Sequence, residues 1–198
     1  LLFRKRSFSD DDLLSIVEAC RLQDPQAQRV LFKKFFSYAK SICLRYSATT
    51  EEAEEVLNEG FLKVFQHLHQ YDTSLPFKAW LRTIMVNTAI SNYRRYHKHQ
   101  ANLALEDVPE APFDDQIVDR ITADEILAIV QQLPSAWRTV FNLHVVDGYS
   151  LREIAEMLDA NEATIRSHFL RGRQRLQQLV KQHYPQITSS NLGYYETR

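Results

Sequence analysis

Between Thr73 and Leu105 the chain carries no acidic residue, yet it sets Lys78, Arg82, Arg94, Arg95 and Lys98 among Trp80, Tyr93 and Tyr96. Cations hold a phosphate backbone and aromatic rings stack on unpaired bases, so this mixture suits a single nucleic-acid strand. Core packing is the other use of such aromatics, and it stays open for Trp80 and Tyr96. A second basic stretch, Arg166, Arg171, Arg173, Arg175 and Lys181, lies near the C-terminal end. Between the two the sign reverses, with Glu106, Asp107, Glu110, Asp114, Asp115 and Asp119. The net charge of −1 therefore conceals two cationic surfaces around an acidic joint, a distribution that allows a polyanion to be touched twice.

Other chemistries lack their residues. His67 and His69, and His97 and His99, are paired two apart, a spacing that points their rings in different directions on a helix. No Glu-x-x-His pair, Gly-rich phosphate loop, Cys-x-x-Cys or nucleophile motif is present, so neither catalysis, a metal nor a cofactor is expected. Cys20 and Cys43 fall inside helical patterns and read as buried free thiols of a reducing cytoplasm. No apolar run approaches the roughly 18 residues of a membrane span, so no membrane insertion is expected. The first six residues, Leu1 to Arg6, turn polar too quickly for a signal peptide.

These groups must be positioned by helices. Apolar residues are 44% of the chain, recur at helical spacing, and only four glycines interrupt them. The fold class expected is all-α, with two helical domains joined by an acidic linker. Ser9 is expected to cap a first helix to about Leu22, with Asp10, Asp11 and Asp12 at its positive end. Asp24-Pro25 opens a second, to about Tyr46, with Val30, Leu31, Phe35, Ala39 and Ile42 facing a core. Thr49 and Glu52 fit a capping box for a third, to about Gln70, whose apolar stripe is Leu57, Phe61, Val64, Phe65 and Leu68. Opposite that stripe stand Glu52, Glu55, Asn58, Glu59, Leu62 and Gln66, an acidic face with an exposed leucine that suits docking. Pro76 opens a fourth helix to about His99. Residues 101–116, with Pro109 and Pro112, read as the linker, dividing a domain over 9–100 from one over 117–184.

In the second domain Leu133-Pro134 separates two helices, the latter running through Val146, and Asp147-Gly148 makes a turn. Ser150 and Glu153 form a capping box for a short helix to Leu158. Three turn residues follow, and Asn161 caps a final helix to about His183. A short helix, a tight turn and a longer basic helix make a helix-turn-helix. Ile165, Phe169, Gly172, Leu176 and Leu179 repeat at spacings of four and three and must face the core. That leaves Ala163, Thr164, Arg166, Ser167, His168 and Arg171 to be presented outward, as major-groove reading requires.

Asp147-Gly148-Tyr149-Ser150 and the helix-turn-helix after it resemble region 4 of extracytoplasmic-function sigma factors of the sigma-70 family. The run Ala53-Glu54-Glu55-Val56-Leu57-Asn58-Glu59-Gly60-Phe61-Leu62-Lys63-Val64-Phe65 resembles region 2.2. Phe77-Lys78-Ala79-Trp80-Leu81-Arg82-Thr83-Ile84 with Val86-Asn87-Thr88-Ala89 resembles regions 2.3 and 2.4. The likeness covers about residues 9 to 183, and no region 3 domain stands between the parts. It implies a cytoplasmic, non-enzymatic factor that binds core RNA polymerase and promoter DNA and is held in some cases by an anti-sigma factor. The region 2.2 face, Glu52 to Gln66, would meet the polymerase. Trp80, Asn87, Asn92, Arg94, Arg95, Tyr96 and Lys98 would serve the −10 element. Asn87 would lie in the loop that captures a flipped base, although a polar residue bonded to backbone is its other reading. Residues Ala163 to Arg171 would read the −35 element. Asp159 stands where the family often has glycine, and His168 where a basic residue is common. The rival reading is a one-component helix-turn-helix repressor, which accounts for the C-terminal half alone.

Overall fold

The computed structural model describes residues 8–97 and 123–185, and every regular element in them is helical. The chain divides into two compact units, Leu1–Asn92 and Tyr93–Arg198. The acidic linker, Lys98 and the tail after Pro185 lie outside the described residues.

The first unit holds α1 (Leu13–Arg21), α2 (Pro25–Tyr46), α3 (Thr50–His67) and α4 (Phe77–His97), which runs on past Asn92. The cap of α1 is Asp12 rather than Ser9. Its carboxylate accepts the Leu14 and Ser15 amides at 3.1 and 3.2 Å, which a residue three positions earlier cannot reach. Asp24 caps α2 as expected, accepting the Gln26 and Ala27 amides, with Pro25 at the first helical position. Thr49 caps α3 by accepting the Glu52 amide at 3.2 Å. The Glu52 carboxylate reaches back one residue further than a capping box requires and accepts the Ala48 amide at 2.6 Å. A 3-10 turn, Leu68–Gln70, ends α3. Arg21 closes the unit by donating to the carbonyls of Leu68 and Tyr71.

Leu31, Phe35, Ala39 and Ile42 of α2 are buried with Leu57, Phe61 and Val64 of α3, while Val30 and Phe65 are half-buried. Full burial of each large apolar side chain contributes roughly 1.5–3 kcal/mol. The core is completed by Leu81, Met85, Val86, Ala89 and Ile90 of α4. Cys20 and Cys43 are free and buried, and burial pushes both thiols up to about 12, so they stay protonated.

The second unit holds α5 (Ala123–Gln131), α6 (Ser135–Phe141), α7 (Leu151–Leu158) and α8 (Glu162–His183). Ile129, Val130 and Leu133 pack on Leu176 and Leu179. Arg138 is buried and donates to the carbonyls of Gln131 and Leu133, which the end of α5 leaves without helical partners. At the crossing of α6 and α8, a Cβ on Gly172 would meet the Trp137 Cβ at 3.3 Å. Only α6 itself is α-helical in the stretch expected to run through Val146. From Asn142 to Val146 the chain widens into a π turn, and the Asp147 amide donates to the Asn142 carbonyl five residues back. Gly148 takes the turn at a φ of 81°, a conformation glycine adopts without a Cβ clash.

Candidate nucleic-acid interface

The helix-turn-helix is built by its caps. Ser150 and Glu153 exchange both bonds of a capping box, at 3.2 and 2.8 Å. The Ser150 amide and hydroxyl, both donating to the Glu153 carboxylate, hold that carboxyl below its usual range. Ile154, Ala155 and Leu158 turn inward, Ala155 being small where α7 approaches its neighbour. At the end of α7, Asp159 adopts the left-handed conformation with φ 53° and ψ 50°, and the Ala160 amide donates to the Ala155 carbonyl. That is the geometry of a helix C-cap, and aspartate is one of the few residues other than glycine that enter it. Asn161 then starts α8 by accepting the Ala163 amide at 2.7 Å.

The opening turns of α8 expose Ala163 and Arg166 and half-expose Thr164, Ser167 and Arg171. Arg166 pairs with Glu162 one turn earlier at 3.2 Å, both side chains being largely in solvent. His168 departs from its expected place. It is only 7% exposed, because it stands three residues after Ile165 and four before Gly172, on the inward stripe. Burial and the Arg171 charge hold its imidazole below the usual histidine range, so it offers no cation to a phosphate at neutral pH.

On α4, Phe77, Leu81, Met85, Thr88 and Asn92 share the inward face. Asn92 is therefore 3% exposed and cannot face a ligand from there, another departure from the expected site. Asn87 is exposed but sits on the helix rather than in a loop. The α4 ladder runs unbroken through it, and Ser91 donates its hydroxyl to the Asn87 carbonyl at 2.8 Å. Trp80 is half-buried against Tyr71 and Phe77, with ring centroids 5.2 and 5.6 Å away. Its packing use is thus seen, and part of the ring stays accessible to solvent. Arg94, Arg95 and Tyr96 are exposed, and the Arg95 guanidinium lies 5.9 Å from the Tyr96 ring centre. Tyr93 is buried, which raises its phenol.

The outer face of α3 matches its expected composition. Glu55, Asn58, Leu62 and Gln66 are exposed, Leu62 at 57%, and Glu59 pairs with Lys63 at 2.8 Å. Glu52 belongs partly to the cap of its own helix. No group of three metal-binding side chains is found among the described residues, nor a helix long and apolar enough to cross a membrane.

Two family models match the chain: sigma-70 region 2 over residues 31–99 and sigma-70 region 4 over residues 123–176. The chain belongs to the sigma-70 family. Several of its curated relatives are named ECF RNA polymerase sigma factors. It is 27% identical over 154 residues to the ECF RNA polymerase sigma factor SigE of Mycolicibacterium smegmatis, across 75% of this chain and 60% of that one. It is 26% identical over 178 residues to the RNA polymerase sigma-H factor of Pseudomonas aeruginosa, across 84% and 92%. Among solved structures it is similar to the sigma factor RpoE of Bartonella quintana, crystallised with the anti-sigma factor NepR. There the TM-score is 0.46, the identity 21%, and 77% of this chain and 96% of that one are covered.

In sigma-70 terms, α2 from Leu31, α3 and α4 make up region 2, and α5 to the middle of α8 make up region 4. Sequence reasoning missed the outward cations at the start of α2, Arg29, Lys33 and Lys34. Their one-turn spacing from Arg29 to Lys33 was the available signal.

Proposed function

We propose that this chain is an alternative RNA polymerase sigma factor that directs core polymerase to a class of promoters. The observation that carries the reading is the pairing, in one chain, of a region 2 unit bearing the acid-free aromatic helix α4 with a region 4 helix-turn-helix. A repressor needs only the latter. The domain assignment that goes with this is region 2 over 9–100, an acidic linker over 101–116 and region 4 over 117–184.

Each surface has a task suited to its chemistry. The outward face of α3, Glu55, Asn58, Glu59, Leu62 and Gln66 with Glu52 at its start, docks on core polymerase. In α8, Ala163, Thr164, Arg166, Ser167 and Arg171 face the major groove of the −35 element. An arginine there reaches the two acceptors of a guanine edge or a phosphate. On α4, Asn87 has an amide able to read the edge of an unpaired −10 base, while Trp80 and Tyr96 offer stacking surface. Arg94, Arg95 and Lys98 neutralise phosphates alongside. The reaction chemistry is the polymerase's. The sigma factor contributes binding energy and strand selection, in the cytoplasm where polymerase works.

Run-off transcription with core polymerase on a promoter library tests the reading. The expected result is promoter-specific transcript with core present and weak duplex binding by the chain alone. Tight, palindrome-specific binding without polymerase, and no transcript with it, would overturn the proposal in favour of a repressor.

A further inference from the structure

The first half of α2 presents Arg29, Lys33 and Lys34 to solvent, around an open groove of roughly 690 Å³ whose other lining residues are Asp10, Gln26 and Val30. Among the described residues none of the three cations is engaged in an ion pair. Long cationic side chains that serve only solubility are usually interspersed with acids. Here two helical turns carry one sign, and among the described residues Asp10 is the only acid lining the groove. This face lies on the first unit, and it is continuous with α4. One turn beyond Lys34, the Tyr38 hydroxyl donates to the Lys78 carbonyl at 3.3 Å, and the Lys78 ammonium lies 5.4 Å from the Tyr38 ring centre. The cations of α2 therefore run into Lys78 at the start of the helix that bears Asn87 and Trp80.

We infer that Arg29, Lys33 and Lys34 form a phosphate track, which carries the backbone of the promoter strand engaged by α4 onto α2. The inference rests on the sigma-factor reading and adds a contact surface to it. The spacing suits the occupant. Arg29 and Lys33 are one turn apart, about 6 Å along the axis, close to two nucleotides of a strand at about 3.4 Å each. Among the described residues the groove is lined by no aromatic ring, and the track offers cations, so it holds backbone and does not choose bases. An acidic protein surface is the other occupant that charge alone permits. Continuity with Lys78 and α4 favours the nucleic acid.

The test uses the full chain with core polymerase on a promoter duplex, with affinity measured across a range of salt. Arg29→Gln/Lys33→Gln/Lys34→Gln is compared with wild type and with the charge-conserving Arg29→Lys/Lys33→Arg/Lys34→Arg. The glutamine variant is expected to flatten the slope of log affinity against log salt by about two, at roughly 0.7 of a counterion per lost contact to a single strand. Base preference and pull-down of core polymerase stay as in wild type, and the charge-conserving variant keeps the wild-type slope. An unchanged slope, while wild type gives promoter-specific transcript, overturns the phosphate track alone. Loss of core binding with the slope intact overturns it too and assigns the face to the polymerase. Absence of transcript from wild type overturns the sigma reading and the track with it.

Discussion

The Sδ of Met85 in α4 fills the space into which a Cβ on Gly60 of α3 would project. Both residues are buried, so α3 and α4 approach here as closely as the missing side chain permits. The proposed docking face of α3 and the exposed face of α4 are thus carried by one tightly packed pair. Gly60→Val is expected to destabilise the region 2 unit by about 1–3 kcal/mol, the usual cost of overpacking. Combining it with Met85→Ala should cost less than the sum of the two single changes. Denaturant unfolding of the four proteins checks this, and additive effects would show that the crossing has slack.

Arg166 is expected to lose about 1–3 kcal/mol of −35 affinity on substitution by alanine if it makes a two-pronged contact to guanine. Its partner Glu162 supplies a second measurement. The ion pair is exposed and contributes little to stability, so Glu162→Gln should leave the unfolding midpoint nearly unchanged. The same change frees the guanidinium and removes a charge that repels phosphate. Promoter binding should therefore tighten, and weaker binding would place this end of α8 away from the DNA.

Asn87→Ala should spare core binding and impair opening of the −10 region, with relaxed preference at one base. Permanganate footprinting reads the opening directly. Because Asn87 is exposed on an intact helix, alanine there does not threaten the fold. Normal opening with unchanged preference would remove it from the site.

Glu59→Lys with Leu62→Ala is expected to lower affinity for core polymerase in a pull-down, with helix content unchanged by circular dichroism. The Glu59–Lys63 pair is lost in this variant, but it is half-exposed and its contribution to stability is small. Unchanged capture by core would assign the α3 face to another partner.

His168 gives region 4 a pH dependence with a definite sign. Its folded-state value is depressed below the ordinary 6.5, so the unfolded chain binds the proton more readily. The stability contribution is fully present above pH 6.5 and declines as the pH falls below it. Thermal unfolding of wild type should weaken between pH 7 and pH 5 more than that of His168→Gln. Parallel curves would show that the imidazole is accommodated in both states.

The sequence made the helices and the helix-turn-helix legible because caps and apolar stripes are local signals. Asp24-Pro25, Ser150 with Glu153 and Asn161 each state a helix start within four residues. The α3 face was equally readable, since one helix settles which residues lie opposite Leu57 and Phe61. The misplacements have a common origin. Asn92 and His168 sit on inward stripes, where a polar type suggests exposure and the helical angle dictates burial. Asn87 was given a loop by resemblance, but nothing in Val86-Asn87-Thr88-Ala89 breaks a helix, and α4 continues through it. The π turn after Phe141 is a matter of backbone hydrogen bonding, with the Asp147 amide donating to the Asn142 carbonyl, which side-chain periodicity does not report.

The left-handed aspartate between α7 and α8 also bears on how far this protein can drift in sequence. At a φ of 53°, position 159 admits glycine, asparagine and aspartate with little strain, and shuts out valine, isoleucine and threonine. On the proposed reading, a chain diversifying its promoter specificity can vary Ala163, Thr164, Arg166, Ser167 and Arg171 on the outward side. It must do so while inheriting a very small alphabet one turn upstream, so the angle at which α8 is offered is passed on while the letters it reads are not.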